Sequence, residues 1–345
     1  MVSYTTTPTV PPTIQRDRFI QFARGFSILT IVLFHYFRLA PLPFFVSKAV
    51  QLGGTGVHVF LFLSGYGLSL SRYRDWGSFF KRRFVKVLVP YYVGIVLIFG
   101  LNLWLHIYPD GINELLSHLL LYKMFIEPYT RSFGGHFWFI STIIQFYLLF
   151  PVLIRLVERL GSVRSMLFAI AISLAYSLFI TYLGKAGVRV WNSFFLQYLW
   201  EFTLGIIVAR NQLLPALLKR PWYVYLVLAM LGISITAGLV LKGGQTGQIF
   251  NDYFAFVGYV CACVVLYRMG NVVTGINTFV LWVESFSYSL YIMHMVPLSI
   301  YLTFYPQQRL TIAIIALIFV AALGLSLLFN QGIKRLLNTS LFKTS

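Results

Sequence analysis

Residues 24–35 read RGFSILTIVLFH. Everything between the first and last of them is ordinary membrane-helix composition, yet an arginine opens the stretch and a histidine closes it. An ionisable side chain inside a bilayer is costly, so each one is a functional-site hypothesis by default. Eleven residues at 100° each bring His35 to within about 20° of Arg24 around a helix axis and set it about 16 Å further along. The two side chains share one face. A long molecule with an anionic head and a reactive far end would touch both.

The rest of the chain agrees with a spanning helix here. Of its 345 residues, 59% are hydrophobic and 10% charged, a balance that a soluble core of this size does not need. The class is an all-α, polytopic membrane helix bundle, and no segment returns to globular composition. The net charge of +18 would suggest nucleic acid in a soluble protein. Here the basic residues sit in short loops beside apolar segments, as a positive-inside bias places them, and no nucleic-acid partner is expected. Cys261 and Cys263, two residues apart on one helix, face different ways and are expected to stay unpaired. The N-terminal stretch MVSYTTTPTVPPTIQ lacks a basic n-region and a small-residue cleavage site, so no removable signal peptide is expected. The expected organisation is an irregular tail over 1–15, one membrane domain over 16–338 and a short cytoplasmic tail over 339–345.

A crossing needs about 20 apolar residues. Ten candidate spans lie near 18–38, 50–70, 84–106, 136–157, 164–183, 190–209, 221–241, 250–268, 279–301 and 310–330. The stretch 112–126, INELLSHLLLYKMFI, is too short and polar to cross and reads as interfacial or re-entrant. Sharing out the 27 Lys and Arg leaves Arg24 inside the first span and about two thirds of the rest on one side. That side would be cytoplasmic, with both termini on it. Arg24 then lies towards the cytosol and His35 towards the opposite leaflet. No internal repeat of the transporter kind is visible.

Few polar residues remain inside the spans. In GGTGVHVFLFLSGYGLS the glycines fit close helix packing or a ligand passage. Ser64 is not in a nucleophile elbow, because Phe62 stands where the first glycine belongs, and His58 reads as a packed, hydrogen-bonded histidine. In FFKRRFVKVLVPYY, residues 79–92, Lys81, Arg82, Arg83 and Lys86 form a cationic cluster. It would anchor headgroups or, with Arg82 and Arg83 one helical turn from Lys86, clamp phosphates. In GGHFWFISTIIQ, His136 stands at the outer mouth and Trp138, Ser141 and Gln145 share a face; an aromatic belt or a passage would explain them. Glu201 lies mid-span, one turn after Gln197, and must find a partner or be neutral. Glu284, Ser287, Tyr291 and His294 form a polar stripe that either bonds within the core or lines a cavity. There is no H-E-x-x-H, Walker A or C-x-x-C pattern, and no metal is expected.

Taken together these motifs resemble the acyltransferase-3 family of membrane acyltransferases. The resemblance runs through Arg24-x10-His35, FLFLSGYG, FFKRRFVKVLVP, HFWFIS, WEFTLG around Glu201, and SYSLYIMH ending at His294, in that order. It implies transfer of an acyl group, usually acetyl from cytoplasmic acetyl-CoA, to a hydroxyl of an extracytoplasmic carbohydrate, in a bacterial cytoplasmic membrane. It implies Arg24 and His35 as the essential pair, Glu201 as a partner that orients a histidine, and the Arg82/Arg83 region, with Lys86 and Ser64, as the donor site. His136, Trp138, Ser141, Tyr291 and His294 would line the substrate passage. Two departures stand out: Gln21 occupies a place where relatives commonly carry an acid, and Lys86 a place where they carry an arginine, whose fork a lysine lacks. Some relatives carry a fused esterase-like domain. Its absence from these residues implies direct transfer or a separate extracytoplasmic transferase. The rival readings are a transporter or flippase for a glycan or lipid-linked sugar, and a glycan polymerase.

Overall fold

The structure, a computed structural model, describes residues 12–71, 75–271 and 274–339, without the side chains of 12–16, 45, 248 and 274. The expected tails over 1–11 and 340–345, and Arg72, Arg74 and Lys343 of the charge count, lie outside the described residues, as does the side chain of Arg16. No strand occurs among the described residues.

The first helix, α1 (Pro12–Phe37), opens on a proline, which fits the first helical turn because its missing N–H would find no partner there. Residues 12–15, expected to be irregular, therefore belong to this helix. There follow α2 (Phe44–Gln51), α3 (Gly56–Leu70), α4 (Trp76–Arg83) and α5 (Val89–Leu105), the last two joined by a π-helical turn, Phe84–Leu88. A short α6 (Ile112–Leu119) and three 3₁₀ turns lead from α5 to α7 (Trp138–Tyr182). After α8 (Arg189–Asn192) come α9 (Leu199–Arg210), α10 (Leu213–Leu218), α11 (Trp222–Phe250) and α12 (Asp252–Gly270). The chain closes with α13 (Thr274–Glu284), α14 (Ser287–Met293), α15 (Met295–Phe304) and α16 (Ile312–Leu337).

Seven helical stretches among the described residues are long and apolar enough to cross a membrane: Asp17–Phe37, Val46–Leu70, Trp76–Leu105, Gly135–Tyr182, Trp222–Gly247, Asp252–Gly270 and Ile312–Leu337. The chain is a multi-pass membrane helix bundle. The fourth stretch is more than one crossing long. The 45 residues of α7 would extend about 68 Å as one straight helix, against about 30 Å of hydrocarbon. At Gly161 its backbone leaves helical geometry (φ 77°, ψ 169°). Ser165 Oγ donates to the Leu156 carbonyl at 3.4 Å, although nine residues of straight helix would set these groups about 13 Å apart. The chain doubles back here, between the spans expected at 136–157 and 164–183.

Two expected spans take a different form. The stretch 190–209 is the short α8, a 3₁₀ turn and the 12-residue α9. The stretch 279–301 is divided among α13, α14 and α15. Pro297 contributes to the second division, because it has no N–H to donate to Met293. The stripe of Glu284, Ser287, Tyr291 and His294 is therefore not one continuous helical face.

Helix α1 is the hub. It packs on α3, α12, α13 and α14, and Phe22, Ile28, Val32 and Tyr36 along it are fully buried. A very close approach lies between α3 and α9. A Cβ on Gly65 would sit 2.1 Å from the Phe202 carbonyl, and one on Gly205 2.1 Å from the Phe62 carbonyl. Lipid offers no hydrophobic drive for helix association, so such close backbone packing replaces it. Gly65→Ala is expected to destabilise the bundle by about 1–3 kcal/mol, read as a lower unfolding midpoint in detergent. A midpoint equal to wild type would refute this packing.

The segment between α5 and α7 is built rather than loose. Lys123 is buried, and its Nζ donates to the carbonyls of Tyr129, Thr130 and Ser132 at 2.8–3.0 Å. Burial lowers its pKa to about 7, opposed by the charge of Asp110. The Asp110 carboxylate accepts from the Phe133 N–H at 2.6 Å. These bonds fix the segment that leads into Gly134, whose φ of 117° is open to glycine and closed to most side chains. A Cβ there would also strike the His136 ring at 2.7 Å. The loop thus delivers His136 into the bundle.

Candidate active site

Three histidines from distant parts of the sequence meet at the C-terminal end of α1. His35 Nδ1 and His294 Nε2 are 3.0 Å apart. The ring centroid of His136 is 4.7 Å from that of His294 and 6.2 Å from that of His35. His136 and His294 are buried, while His35 is partly exposed. Tyrosines hold the group: Tyr36 donates to the His294 carbonyl at 2.5 Å and Tyr291 to the His136 carbonyl at 2.7 Å. No set of three His, Cys, Asp or Glu among the described residues is arranged to hold a metal ion.

The hydrogen bonds fix the tautomers. His294 Nδ1 faces the carbonyls of Leu290 and Tyr291 at 3.0 and 2.9 Å. Carbonyls only accept, so this nitrogen carries the proton. In the neutral ring Nε2 is then bare and accepts from His35 Nδ1–H. That leaves the lone pair of His35 on Nε2, on the side away from His294. A histidine held in this tautomer is prepared to take a proton or to attack a carbonyl.

Below the histidines lies a cavity of about 350 Å³. Arg24 and Arg83 line it, with Ser64, Tyr147 and Ser287. Ile31, Phe139 and Tyr291 line it as well, and Tyr291 is the residue that bonds His136. Arg24, Ile31 and His35 stand at i, i+7 and i+11, all within about 20° of one line along α1. The cavity thus runs along the face that His35 ends, and Ile31 is one turn below the imidazole. Arg24 Nη1 is 3.4 Å from Glu284 Oε1. The other cation, Arg83, lies over the Phe79 ring, and its buried Nε has no hydrogen-bond partner.

The expected basic clamp takes a different form. The π-helical turn at Phe84–Leu88 breaks the α spacing that would set Arg82 and Arg83 beside Lys86. Arg83 enters the cavity wall, Lys86 is exposed, and neither Lys86 nor Arg82 is among the lining residues. The Val87 carbonyl of the same turn accepts from Tyr288 at 2.8 Å, and both residues line the cavity. Such turns recur at functional sites.

Glu201 does face a histidine, as a buried carboxylate in a span should. Its Oε1 is 2.7 Å from His58 Nδ1, and His58 Nε2 is 3.4 Å from Asp252 Oδ1. The histidine that Glu201 faces is His58 of α3, outside the cluster of His35, His136 and His294. Gln197 links this buried pair to Ser177 and to the other oxygen of Asp252 at 2.9 and 3.1 Å. Trp138 and Ser141 face the same side as this network, away from the cavity. Trp138 packs on Tyr198, whose ring neighbours His58. Ser141 receives Gln145, whose side-chain oxygen accepts from the Phe195 N–H. Of the expected passage residues, the structure therefore gathers His136, Tyr291 and His294, and separates Trp138 and Ser141 from them. Sequence reasoning missed Asp252, although an acid at the edge of an apolar span is itself a signal. It also missed Tyr147 and Tyr288, which nothing distinguishes among 22 tyrosines.

MdmB, an acyltransferase of Streptomyces mycarofaciens, is 29% identical over 238 residues, 58% of either chain. A protein of Acidianus two-tailed virus named as an acetyltransferase, ORF330, is 27% identical over 177 residues, 51% of this chain and 50% of the viral protein. The chain thus spans only about half the length of these curated relatives. No solved structure matches it. The family model described as an acyltransferase domain matches residues 17–331, and with that match over most of its length the chain belongs to the acyltransferase-3 family.

Proposed function

We propose that this protein transfers an acyl group, acetyl in the simplest case, from cytoplasmic acyl-CoA to a hydroxyl of an extracytoplasmic carbohydrate. The observation that carries the reading is one cavity lined by Arg24 and Arg83 and, towards the histidines, by Ile31, one turn before His35 on α1, and by Tyr291, which bonds His136; the histidines themselves stand beyond its lining. In this reading the chain crosses the membrane ten times with both termini in the cytosol, as a single domain over 16–338. The donor enters from the cytosolic side, and Arg24 and Arg83 bind its phosphates by charge-assisted hydrogen bonds. A phosphate there takes over part of the pairing that Glu284 gives Arg24. The thin pantetheine arm follows α1 upward and sets the thioester beside His35.

The acceptor hydroxyl gives its proton to His35 Nε2 as its oxygen adds to the thioester carbonyl. The tetrahedral intermediate collapses with cleavage of the C–S bond, and the leaving sulfur takes the proton back from the imidazolium. An ester and free CoA result, and His35 returns to its starting state. The bond to His294 holds the imidazole in place and stabilises its charged form, as the third member of a catalytic triad does. Proton transfer contributes about 10²–10⁴-fold; holding the two substrates in one passage supplies much of the remainder.

His294 is a positioning residue in this scheme. His294→Phe is expected to lower kcat at least about 10-fold while leaving KM for the donor unchanged. A variant that raised KM with kcat intact would contradict the role. The reading as a whole is tested in proteoliposomes supplied with acetyl-CoA and a mixed oligosaccharide acceptor. Acceptor-dependent CoA release with ester formation supports it. Passage of the oligosaccharide across the bilayer with no CoA release would replace it by a transporter.

A further inference from the structure

We propose that the acceptor carries an anionic group, a carboxylate or a phosphate, which docks on Arg38, Arg131 and Arg189 around the outer mouth of the His35 site. The inference rests on the acyl-transfer reading above and adds the class of acceptor to it.

Three segments far apart in sequence bring these arginines together. Arg38 follows the last turn of α1, three residues after His35, and lies over the Phe34 ring at 5.6 Å. The Phe34 and His35 rings are 5.1 Å apart. Arg189 opens α8 and lies over the Trp138 ring at 5.2 Å, two residues beyond His136. Arg131 ends the 3₁₀ turn Glu127–Arg131, which packs both on α8 and on the turn Gly135–Phe137 that carries His136. The three cations therefore lie on segments next to those that carry His35 and His136: Arg38 three residues after His35, Arg189 on the ring two residues after His136, and Arg131 on a turn packed against that of His136. They also sense one another: desolvation, and then the charges of Arg189 and Arg131, lower the Arg38 pKa. Arg38 and Arg189 both act electrostatically on His35.

None of the three makes an ion pair among the described residues. By contrast Arg24 faces Glu284 and Arg210 faces Glu158. Like charges gathered without a counter-charge repel, and the arrangement becomes favourable when an anion joins it. Arginines that only anchor headgroups have no reason to converge on one opening. Here Arg38, Arg131 and Arg189 do so, with two guanidiniums held on aromatic faces. Guanidinium groups bind carboxylates and phosphates in fork geometry, which would fix a sugar in one orientation and bring one hydroxyl over His35 Nε2.

The test uses the full chain in phosphatidylcholine vesicles with acetyl-CoA and three matched oligosaccharides: neutral, bearing one hexuronate, and bearing one phosphate. At least one anionic acceptor is expected to show a kcat/KM about 10-fold or more above the neutral one; whichever does so identifies the anion. Arg38→Gln and Arg189→Gln are expected to bring that ratio towards one, and the matching Lys variants to retain more of it. The KM for acetyl-CoA and the unfolding midpoint in detergent serve as controls and should stay at wild-type values. Equal use of the three acceptors, or a ratio that the Gln variants leave unmoved, overturns the inference while acyl transfer stands. Absence of CoA release with every acceptor overturns the acyl-transfer reading itself, and the inference with it.

Discussion

His35→Ala is expected to lower acyl transfer by about 10²–10⁴-fold, measured as acceptor-dependent CoA release, while the protein still inserts and binds donor. In the proposed mechanism the lone pair that takes the hydroxyl proton sits on His35 Nε2, because its Nδ1 is committed to His294 at 3.0 Å. No neighbour replaces it. His294 spends its Nδ1 proton on backbone carbonyls, and His136 is buried. In the proposed mechanism donor binding depends on the other end of the cavity, so acetyl-CoA should raise the unfolding midpoint of the variant and of the wild type alike. Transfer at the wild-type rate in His35→Ala would remove the imidazole from the mechanism.

The second large effect concerns the donor. Arg24→Gln and Arg83→Gln are each expected to raise KM for acetyl-CoA roughly 10- to 10²-fold, the worth of one hydrogen bond to a charged group. Lys86→Gln should change it little, because Lys86 is exposed and outside the cavity. The contrast separates this site from a clamp made of the whole KRRFVK segment, in which Lys86 would matter as much as Arg83. An unchanged KM in both arginine variants would show that the phosphates bind elsewhere.

Much of this was legible in the sequence for simple reasons. Apolar runs of about 20 residues mark crossings whatever their surroundings, and α-helical spacing alone put Arg24 and His35 on one face. The places where reading and structure part are those where the backbone departs from regular helix. The turn at Phe84–Leu88 rotates Arg83 away from Lys86, and the breaks after Glu284 and at His294 divide a stripe that looked continuous. The partner of Glu201 was not legible either. A mid-span carboxylate needs a partner, but five of the six histidines lie in or beside long apolar stretches, and only the approach of α3 to α9 at Gly65 and Gly205 selects His58. The gathering of Arg38, Arg131 and Arg189 depends on the folded segment between α5 and α7, which the buried Lys123 holds by three carbonyls.

The most direct measurement is a density map of the protein in lipid nanodiscs with a thioether analogue of acetyl-CoA. The account predicts one elongated density in the cavity, with phosphates beside Arg24 and Arg83 and the acyl end next to His35 Nε2. Phosphates on the exposed face near Lys81 and Lys86, with the acyl end away from the histidines, would contradict it.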